Sequence, residues 1–317
     1  MNGDQDQLSF ASADGVHRCH VQEWLPDGPP RGVVQIVHGM ADHIGRYREF
    51  ARFLTAAGYA VLGEDHLGHG LTAGPGEWGY FAEHDGWNTV VRDVRTARSL
   101  AMQRHPDVPH FLLGHSLGSL LTRQYLIDYP GTVAGALLSG TGHVPTLAAG
   151  AGAAALSGLA RVRGANVVSA LLQKPFGSYN RRFAPTRTEA DWFSRDPAMV
   201  DANLADPLCG FPATIGLSRD LLVGARGIGN RKNLRRMDPS TPVLLFSGGE
   251  DPVGGRGTGV RRVAAGFLRA GSGDVTVRIY PGGRHEMLAE VNREQVYADI
   301  LRWLERLHSA SRVRISE

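Results

Sequence analysis

An apolar run leads into a serine flanked by glycines at residues 111–119, which read Phe111-Leu112-Leu113-Gly114-His115-Ser116-Leu117-Gly118-Ser119. The apolar run is typical of a buried strand, and residues 117–129 have the periodicity of an amphipathic helix. A Gly-x-Ser-x-Gly motif between a strand and a helix marks a sharp, strained turn that lifts the serine hydroxyl clear of the sheet. The helix N-terminus also favours negative charge beside that hydroxyl. We therefore predict that Ser116 is a catalytic nucleophile.

Short apolar runs alternate with helical periodicity on both sides of this motif. The runs typical of buried strands lie at residues 32–37, 59–62, 110–113, 133–138, 242–246 and 275–280, and a hairpin is expected over 7–24. Helices are expected at about 47–57, 87–101, 117–129, 260–270 and 296–307. This alternation predicts an α/β fold with a mainly parallel central sheet flanked by helices.

The alternation stops between residues 138 and 242. This stretch has an Ala/Gly-rich run and scattered aromatic residues, without strand signals of the earlier kind. We predict a core in two parts, residues 1–142 and 237–317. A helical cap over residues 143–236 is inserted between two late strands.

A serine hydroxyl needs a histidine base and an acid that orients it. In folds with this motif the chain order is serine, acid, histidine. The segment Ser247-Gly248-Gly249-Glu250-Asp251-Pro252 places two carboxylates after a strand. Of these we favour Asp251, because the glycines let the chain turn and the proline fixes the backbone that follows. Glu250 stays as the rival acid.

The base is expected in Pro281-Gly282-Gly283-Arg284-His285, which follows the last strand. The glycines would allow His285 to reach Ser116. The later His308 lies in the last helix, at the wrong end of the strand–helix unit. We therefore predict His285 as the base.

Backbone N–H groups should stabilise the oxyanion that forms when the serine attacks. One donor is expected to be Leu117, directly after the nucleophile, and the other belongs to the loop His38-Gly39-Met40 after an early strand. We choose the Met40 N–H. His38 is expected to hydrogen-bond the loop backbone instead of reacting.

These residues carry a family resemblance. The segment His38-Gly39-Met40-Ala41-Asp42-His43-Ile44-Gly45-Arg46-Tyr47 resembles the H-G-x-G-E-H-x-x-R-Y signature of monoacylglycerol lipases and related lysophospholipases in the α/β-hydrolase superfamily. Asp65-His66-Leu67-Gly68-His69-Gly70 is similar to their D-x-R-G-H-G turn. The resemblance covers residues 32–140 and 240–305 and implies the triad Ser116, Asp251 and His285, with Met40 and Leu117 as oxyanion donors. Ala41, Asp42 and Leu67 depart from the family pattern.

Composition excludes several other classes of protein. The chain has 34 basic and 31 acidic side chains, and a net charge of +3 is too small for a face that tracks nucleic-acid phosphates. The two cysteines lack metal-ligand spacing, and the glycine-rich turn accounts for Asp65, His66 and His69. We predict no metal, no organic cofactor and no nucleic-acid partner.

The N-terminal sequence Met1-Asn2-Gly3-Asp4-Gln5-Asp6-Gln7 is polar and does not resemble a signal peptide. Residues 144–160 are too weakly apolar for a membrane-spanning helix. A soluble, cytoplasmic protein is expected.

The cap holds apolar residues that could enclose a substrate: Leu147, Leu156, Leu159, Phe176, Trp192 and Phe193. We expect an apolar tunnel above Ser116, a preference for medium-chain acyl esters, and transient contact of the cap with lipid surfaces without insertion. Individual substrate-binding residues of the cap are not assigned.

The sequence thus predicts a serine hydrolase that cleaves carboxylic esters of lipid-like alcohols through an acyl-enzyme. Two alternatives stay open. In an acyltransferase on the same fold, a nucleophile other than water would take the acyl group. A non-catalytic ligand-binding homologue would normally lack part of the triad, which this chain has complete.

Overall fold

A computed structural model describes residues 8–313, apart from the side chains of residues 174–176 and 309–313. The N-terminal peptide 1–7 therefore lies outside the described residues. The described chain contains eight strands: β1 (Ser9–Ala11), β2 (Arg18–Trp24), β3 (Gly32–Val37), β4 (Tyr59–Glu64), β5 (His110–His115), β6 (Gly135–Ser139), β7 (Val243–Gly248) and β8 (Val275–Tyr280). They form one sheet in the order β1-β2-β4-β3-β5-β6-β7-β8. Strands β3 to β8 run parallel to one another, while β2 runs antiparallel to both of its neighbours, β1 and β4. The predicted mainly parallel sheet is therefore confirmed.

Ten α-helices accompany the strands in the described chain: α1 (Arg48–Ala56), α2 (Gly86–Arg104), α3 (Leu117–Asp128), α4 (Thr146–Arg163), α5 (Ala170–Asn180), α6 (Pro197–Ala205), α7 (Ile215–Ile228), α8 (Arg231–Leu234), α9 (Thr258–Ala270) and α10 (Arg293–Val313). The first predicted helix begins slightly later than expected, because a 3₁₀ turn over Ile44–Tyr47 precedes α1.

Helices cover both faces of the sheet. Successive side chains of a strand point to opposite faces, and Phe111 and Leu113 of β5 accordingly pack with α1 and α10. Leu112, between them, packs with α2, α3 and α9. All six residues of β5 are buried, which explains why it reads as a continuous apolar run and not as an alternating one.

The chain leaves the sheet after β6 and returns to it at β7. Helices α4 to α8 lie in between, α4 packs on α7, and α7 contacts α3 of the core. None of the helices described is both long and apolar enough to cross a bilayer.

Candidate active site

Ser116 occupies a strained turn between β5 and α3. Its backbone has φ +50° and ψ −116°, a region that side-chain-bearing residues rarely adopt. A Cβ atom on Gly118 would lie 1.9 Å from the Val37 carbonyl oxygen, and one on Gly114 would lie 2.3 Å from the Gly118 carbonyl oxygen. The two glycines of the motif are therefore required by contact with neighbouring backbone, and the strain expected at Ser116 is present.

Three loops at the carboxyl edge of the sheet bring the candidate triad together. The distance from Ser116 Oγ to His285 Nε2 is 3.0 Å, and His285 Nδ1 lies 2.9 Å from Asp251 Oδ1. The Asp251 carboxylate also accepts hydrogen bonds from the Ser247 hydroxyl and the Val253 N–H, each at 2.9 Å. With this carboxylate as acceptor, Nδ1 carries the imidazole proton and Nε2 can accept the serine proton.

The environment of His285 favours proton uptake. Burial alone would lower the pKa of this imidazole, but the Asp251 carboxylate raises it, and the Glu286 and Asp42 carboxylates act in the same direction. The pKa of His285 consequently lies above its usual value.

The rival acid lies elsewhere. Glu250 pairs with Arg182 at the surface, with 2.8 Å between Nη2 and Oε2. Asp251, which immediately follows it, is fully buried and is the carboxylate that meets His285.

Both predicted oxyanion donors line the same cavity as Ser116. Leu117 is the first residue of α3, and the first N–H groups of a helix have no partner within it. Met40 follows β3 in the loop that faces Ser116. His38 supports this loop as predicted: its Nδ1–H donates to the Gly39 carbonyl at 2.8 Å, and its Nε2 accepts from the His66 N–H at 3.0 Å.

The loop after β3 is also attached to the cap. Ala41 has φ +52°, so it holds a left-handed backbone at the position where the signature it resembles has glycine. The Gly210 N–H donates to the Ala41 carbonyl at 3.0 Å, and His43 Nε2 lies 3.0 Å from Asp206 Oδ2. The cap therefore contacts the loop after β3 directly.

A buried ion-pair network lies beside the triad, and the sequence analysis missed it. Arg46 Nη1 lies 2.8 Å from Asp42 Oδ1, and Arg46 Nη2 lies 3.8 Å from Glu286 Oε2. The other Glu286 oxygen lies 2.5 Å from His115 Nε2. The i,i+4 spacing of Asp42 and Arg46 could have indicated the first pair.

This network fixes charge next to the reacting groups. Burial would raise the pKa of Asp42, but Arg46 holds it far below its usual range. Burial likewise opposes ionisation of Glu286, and His115 and Arg46 reverse the effect, so its pKa is also lowered. Asp42 additionally accepts hydrogen bonds from the Gly39 N–H at 3.2 Å and the Tyr47 hydroxyl at 2.9 Å, which ties the network to the oxyanion loop.

A cavity of about 690 Å³ lies over Ser116. Trp192 and Phe193 of the cap line it, as the sequence predicted, together with other cap residues: Leu204, Phe211, Leu221 and Ile228. The cavity is large enough for an extended small-molecule ligand.

The expectation that leucines of residues 144–160 line this cavity is wrong. Leu147 is 90 % exposed, and neither Leu156 nor Leu159 contributes to the cavity wall. The reason is the packing of α4, whose Gly150 and Gly152 lie against Arg226 and Leu222 of α7. The small residues of α4 allow α4 and α7 to pack closely. Phe176, which was also predicted to line the cavity, has a side chain outside those described.

One cluster in the described chain has the side chains to hold a metal ion: His43, Asp206 and Cys209, whose ligand atoms lie within 4.8 Å of one another. Burial raises the pKa of the Cys209 thiol, which keeps its proton.

Asp65 is not part of this cluster. Its carboxylate accepts hydrogen bonds from the backbone N–H groups of Ile44 and Leu71, at 2.8 and 2.9 Å, and so links two loops.

Comparison with known proteins identifies the family of this chain. The sequence profile of the family described as serine aminopeptidase, S33, matches residues 28–292. A monoacylglycerol lipase of Mycolicibacterium smegmatis is 32 % identical over 310 residues, which cover 96 % of this chain and 98 % of that protein. The monoglyceride lipase of Homo sapiens is 28 % identical over 306 residues, covering 95 % of this chain and 90 % of that protein.

Among solved structures, a thermostable carboxyl esterase from Bacillus coagulans in complex with glycerol has a TM-score of 0.88 and 29 % identity. The match covers 95 % of this chain and 98 % of that one. A soluble variant of monoglyceride lipase from Saccharomyces cerevisiae shares the fold at a TM-score of 0.72 and 19 % identity, over 92 % of each chain. The chain therefore belongs to the serine aminopeptidase S33 family of α/β-hydrolases, in its monoglyceride lipase-like branch.

Proposed function

We propose that this ester hydrolase cleaves carboxylic esters of lipid-like alcohols, with monoacylglycerols as the model substrates, through Ser116, His285 and Asp251. The observation that carries the proposal is the hydrogen-bonded chain Ser116–His285–Asp251, with distances of 3.0 and 2.9 Å, at the wall of a large cavity. The relatives named monoacylglycerol and monoglyceride lipase support the choice of alcohol.

In the proposed reaction, His285 Nε2 takes the hydroxyl proton while Ser116 Oγ attacks the ester carbonyl carbon. The N–H groups of Met40 and Leu117 stabilise the tetrahedral oxyanion. Protonated His285 then gives the proton to the leaving alcohol, and an acyl-enzyme remains. Water, deprotonated by the same imidazole, then attacks the acyl-enzyme and releases the acid and the free Ser116 hydroxyl. Throughout, Asp251 keeps the proton of neutral His285 on Nδ1.

The test is the variant Ser116→Ala, assayed with p-nitrophenyl esters and monoacylglycerols. Turnover should fall by up to roughly 10⁶-fold, as for other serine hydrolase triads. A fluorophosphonate should label the unmodified protein covalently and leave the variant unlabelled. Unchanged turnover in the variant, together with equal labelling, would contradict the mechanism.

We also propose that the cap touches lipid surfaces without inserting. Leu147, Val162 and Leu171 are 90 %, 83 % and 67 % exposed on the cap helices α4 and α5. Exposed apolar side chains of this size favour contact with lipid. Replacing all three with serine should reduce co-sedimentation with vesicles of neutral phospholipid, and unchanged co-sedimentation would count against the contact.

A further inference from the structure

Arg123 is a buried cation in the wall of the cavity that contains Ser116. It is 4 % exposed and belongs to α3, seven residues after Ser116. Arg123 lies six residues after Leu117, the first residue of α3, and a rise of 1.5 Å per residue places its backbone about 9 Å further along the helix axis. A substrate attached at Ser116 would therefore need to extend along α3 to reach it.

The guanidinium of Arg123 has more N–H donors than acceptors among the described residues. It carries five N–H groups. Nη1 donates to the Gly142 carbonyl at 3.0 Å and Nη2 to the Ile228 carbonyl at 3.5 Å, while Nε is buried without a partner. Both acceptors are neutral, so these bonds leave the positive charge uncompensated.

Among the residues that the structure describes, no carboxylate pairs with Arg123, and burial alone shifts its pKa. Two buried carboxylates do line the cavity, Asp42 and Glu286, but they pair with Arg46. Burial lowers the pKa of Arg123 to about 10, which leaves it cationic at neutral pH. Burying a charge without a counter-charge is unfavourable, and an anionic ligand would relieve that penalty.

The surroundings of Arg123 fit an anion at the end of an apolar chain. Leu120 and Leu221 line the same cavity, and so does His143, whose imidazole is close enough to respond to the Arg123 charge. Burial, together with the Arg123 and Arg262 cations, lowers the pKa of His143, so its imidazole is neutral at pH 7. A neutral imidazole adds a hydrogen-bond donor without repelling Arg123 further.

We infer that Arg123 binds an anionic group of the substrate, a carboxylate or a phosphate, in the cavity that also contains Ser116. The inference rests on the proposed ester hydrolysis at Ser116 and narrows its substrate class to esters that carry an acid group. Arginine suits this role because its planar fork matches both anions.

A purely structural role makes a different prediction. The two carbonyls that Arg123 contacts lie where the cap meets the core, after β6 and at the end of α7. An arginine that only held these segments would affect neutral and anionic substrates alike. The ratio of kcat/KM between matched substrates therefore separates the two roles.

The experiment uses two matched pairs of esters. The first pair, p-nitrophenyl octanoate and the mono-p-nitrophenyl ester of octanedioic acid, differs by a carboxylate on the acyl side. The second pair, monooctanoyl glycerol and monooctanoyl glycerophosphate, differs by a phosphate on the alcohol side. The unmodified enzyme should have a higher kcat/KM for the anionic member of at least one pair. The pair with this preference shows whether the anion belongs to the acyl part or to the alcohol part of the substrate.

In Arg123→Met this preference should fall by about 10- to 100-fold through KM, the range expected for a hydrogen bond to a charged group. Arg123→Lys should retain part of it. The control Arg269→Met removes the same charge from the exposed face of α9, outside the cavity, and should leave the preference unchanged. Equal kcat/KM within both pairs, with no change of ratio in Arg123→Met, would overturn the inference.

A binding measurement keeps the inference testable if Arg123→Met does not fold or if the proposed reaction fails. By calorimetry, the unmodified protein should bind octanoate more tightly than octan-1-ol, which has the same chain length and no charge, and equal affinities would count against an anion site. Failure of the proposed function has a separate signature, namely no turnover of the neutral esters and no fluorophosphonate labelling.

Discussion

In the loop after β3, Ala41 stands where the signature that this loop resembles has glycine, so the position carries an additional methyl group. Ala41 holds φ +52°, which is unfavourable for any residue with a Cβ atom. Ala41→Gly should therefore raise the free energy of unfolding by about 1 kcal/mol. The measurement is the urea midpoint at an unchanged m-value.

Ala154→Gly provides the matched control for this substitution. Ala154 is exposed in the interior of α4, where glycine is expected to lower the free energy of unfolding by about 0.5–1 kcal/mol. A downward shift of the midpoint in both variants would show that position 41 is not strained.

The pH dependence of the reaction should report the environment of His285. Because only the neutral imidazole can accept the serine proton, kcat/KM should rise with pH through an apparent pKa above 6.5. Glu286 raises the pKa of His285, so Glu286→Gln should move the rise to lower pH. The profile is measured with a neutral ester and chromatographic detection of the acid. A rise at the same or higher pH in Glu286→Gln would contradict this assignment of charge.

At the scale of single residues, the sequence was sufficient for predictions that depend only on neighbouring residues in the chain. Asp251 could be preferred over Glu250 because glycines precede the pair and Pro252 follows it. The pairing of Arg46 with Glu286 could not be predicted, since it depends on two loops from distant parts of the chain meeting in space. The left-handed backbone of Ala41 was also beyond prediction, because the sequence showed only that glycine was missing there.

At the scale of elements, the contact between α3 and the end of β3 sets the position of Ser116. A methyl group added at Gly118 would place its carbon 1.9 Å from the Val37 carbonyl oxygen, where it overlaps backbone that cannot rotate away. Gly118→Ala should therefore displace α3, reduce kcat at least 100-fold and lower the melting temperature. Circular dichroism melts and ester turnover measure the two effects.

Gly158→Ala is the comparison for Gly118→Ala. Gly158 lies in α4, and a Cβ atom added there would have no neighbouring atom within 4 Å. Alanine should stabilise this helix by about 0.5–1 kcal/mol without reducing turnover. If both substitutions behaved alike, the close approach of α3 to β3 would not be what positions Ser116.

Elements differ in how well their sequence indicates their surroundings. Strand β5 is buried on both faces, so its apolar run was enough to place it. Helix α4 contacts the rest of the protein through small residues, and its Leu147 faces solvent. Composition alone could not show which side of α4 faces α7, and this is why the part of the cavity wall predicted from residues 144–160 was wrong.

At the scale of the whole molecule, cap and core together enclose the cavity over Ser116. Each methylene buried there should contribute about 0.8 kcal/mol, so three or four additional carbons should raise kcat/KM by up to about 100-fold. We expect a rise in kcat/KM of at least this size between p-nitrophenyl acetate and p-nitrophenyl octanoate, which differ by six carbons. A flat or falling series would contradict an acyl site in the cavity.

The residues proposed for one reaction are widely separated along the chain: His285 follows Ser116 by 169 residues and Asp251 by 34. A polypeptide emerges from the ribosome N-terminus first. The nucleophile and both oxyanion amides are therefore synthesised long before the base, and the cap is synthesised between them. Until the loop after β8 has emerged and joined the sheet, the growing chain lacks the His285 imidazole that contacts the Ser116 hydroxyl. In the proposed mechanism, the order of synthesis therefore delays acylation of Ser116 until the cap has been made.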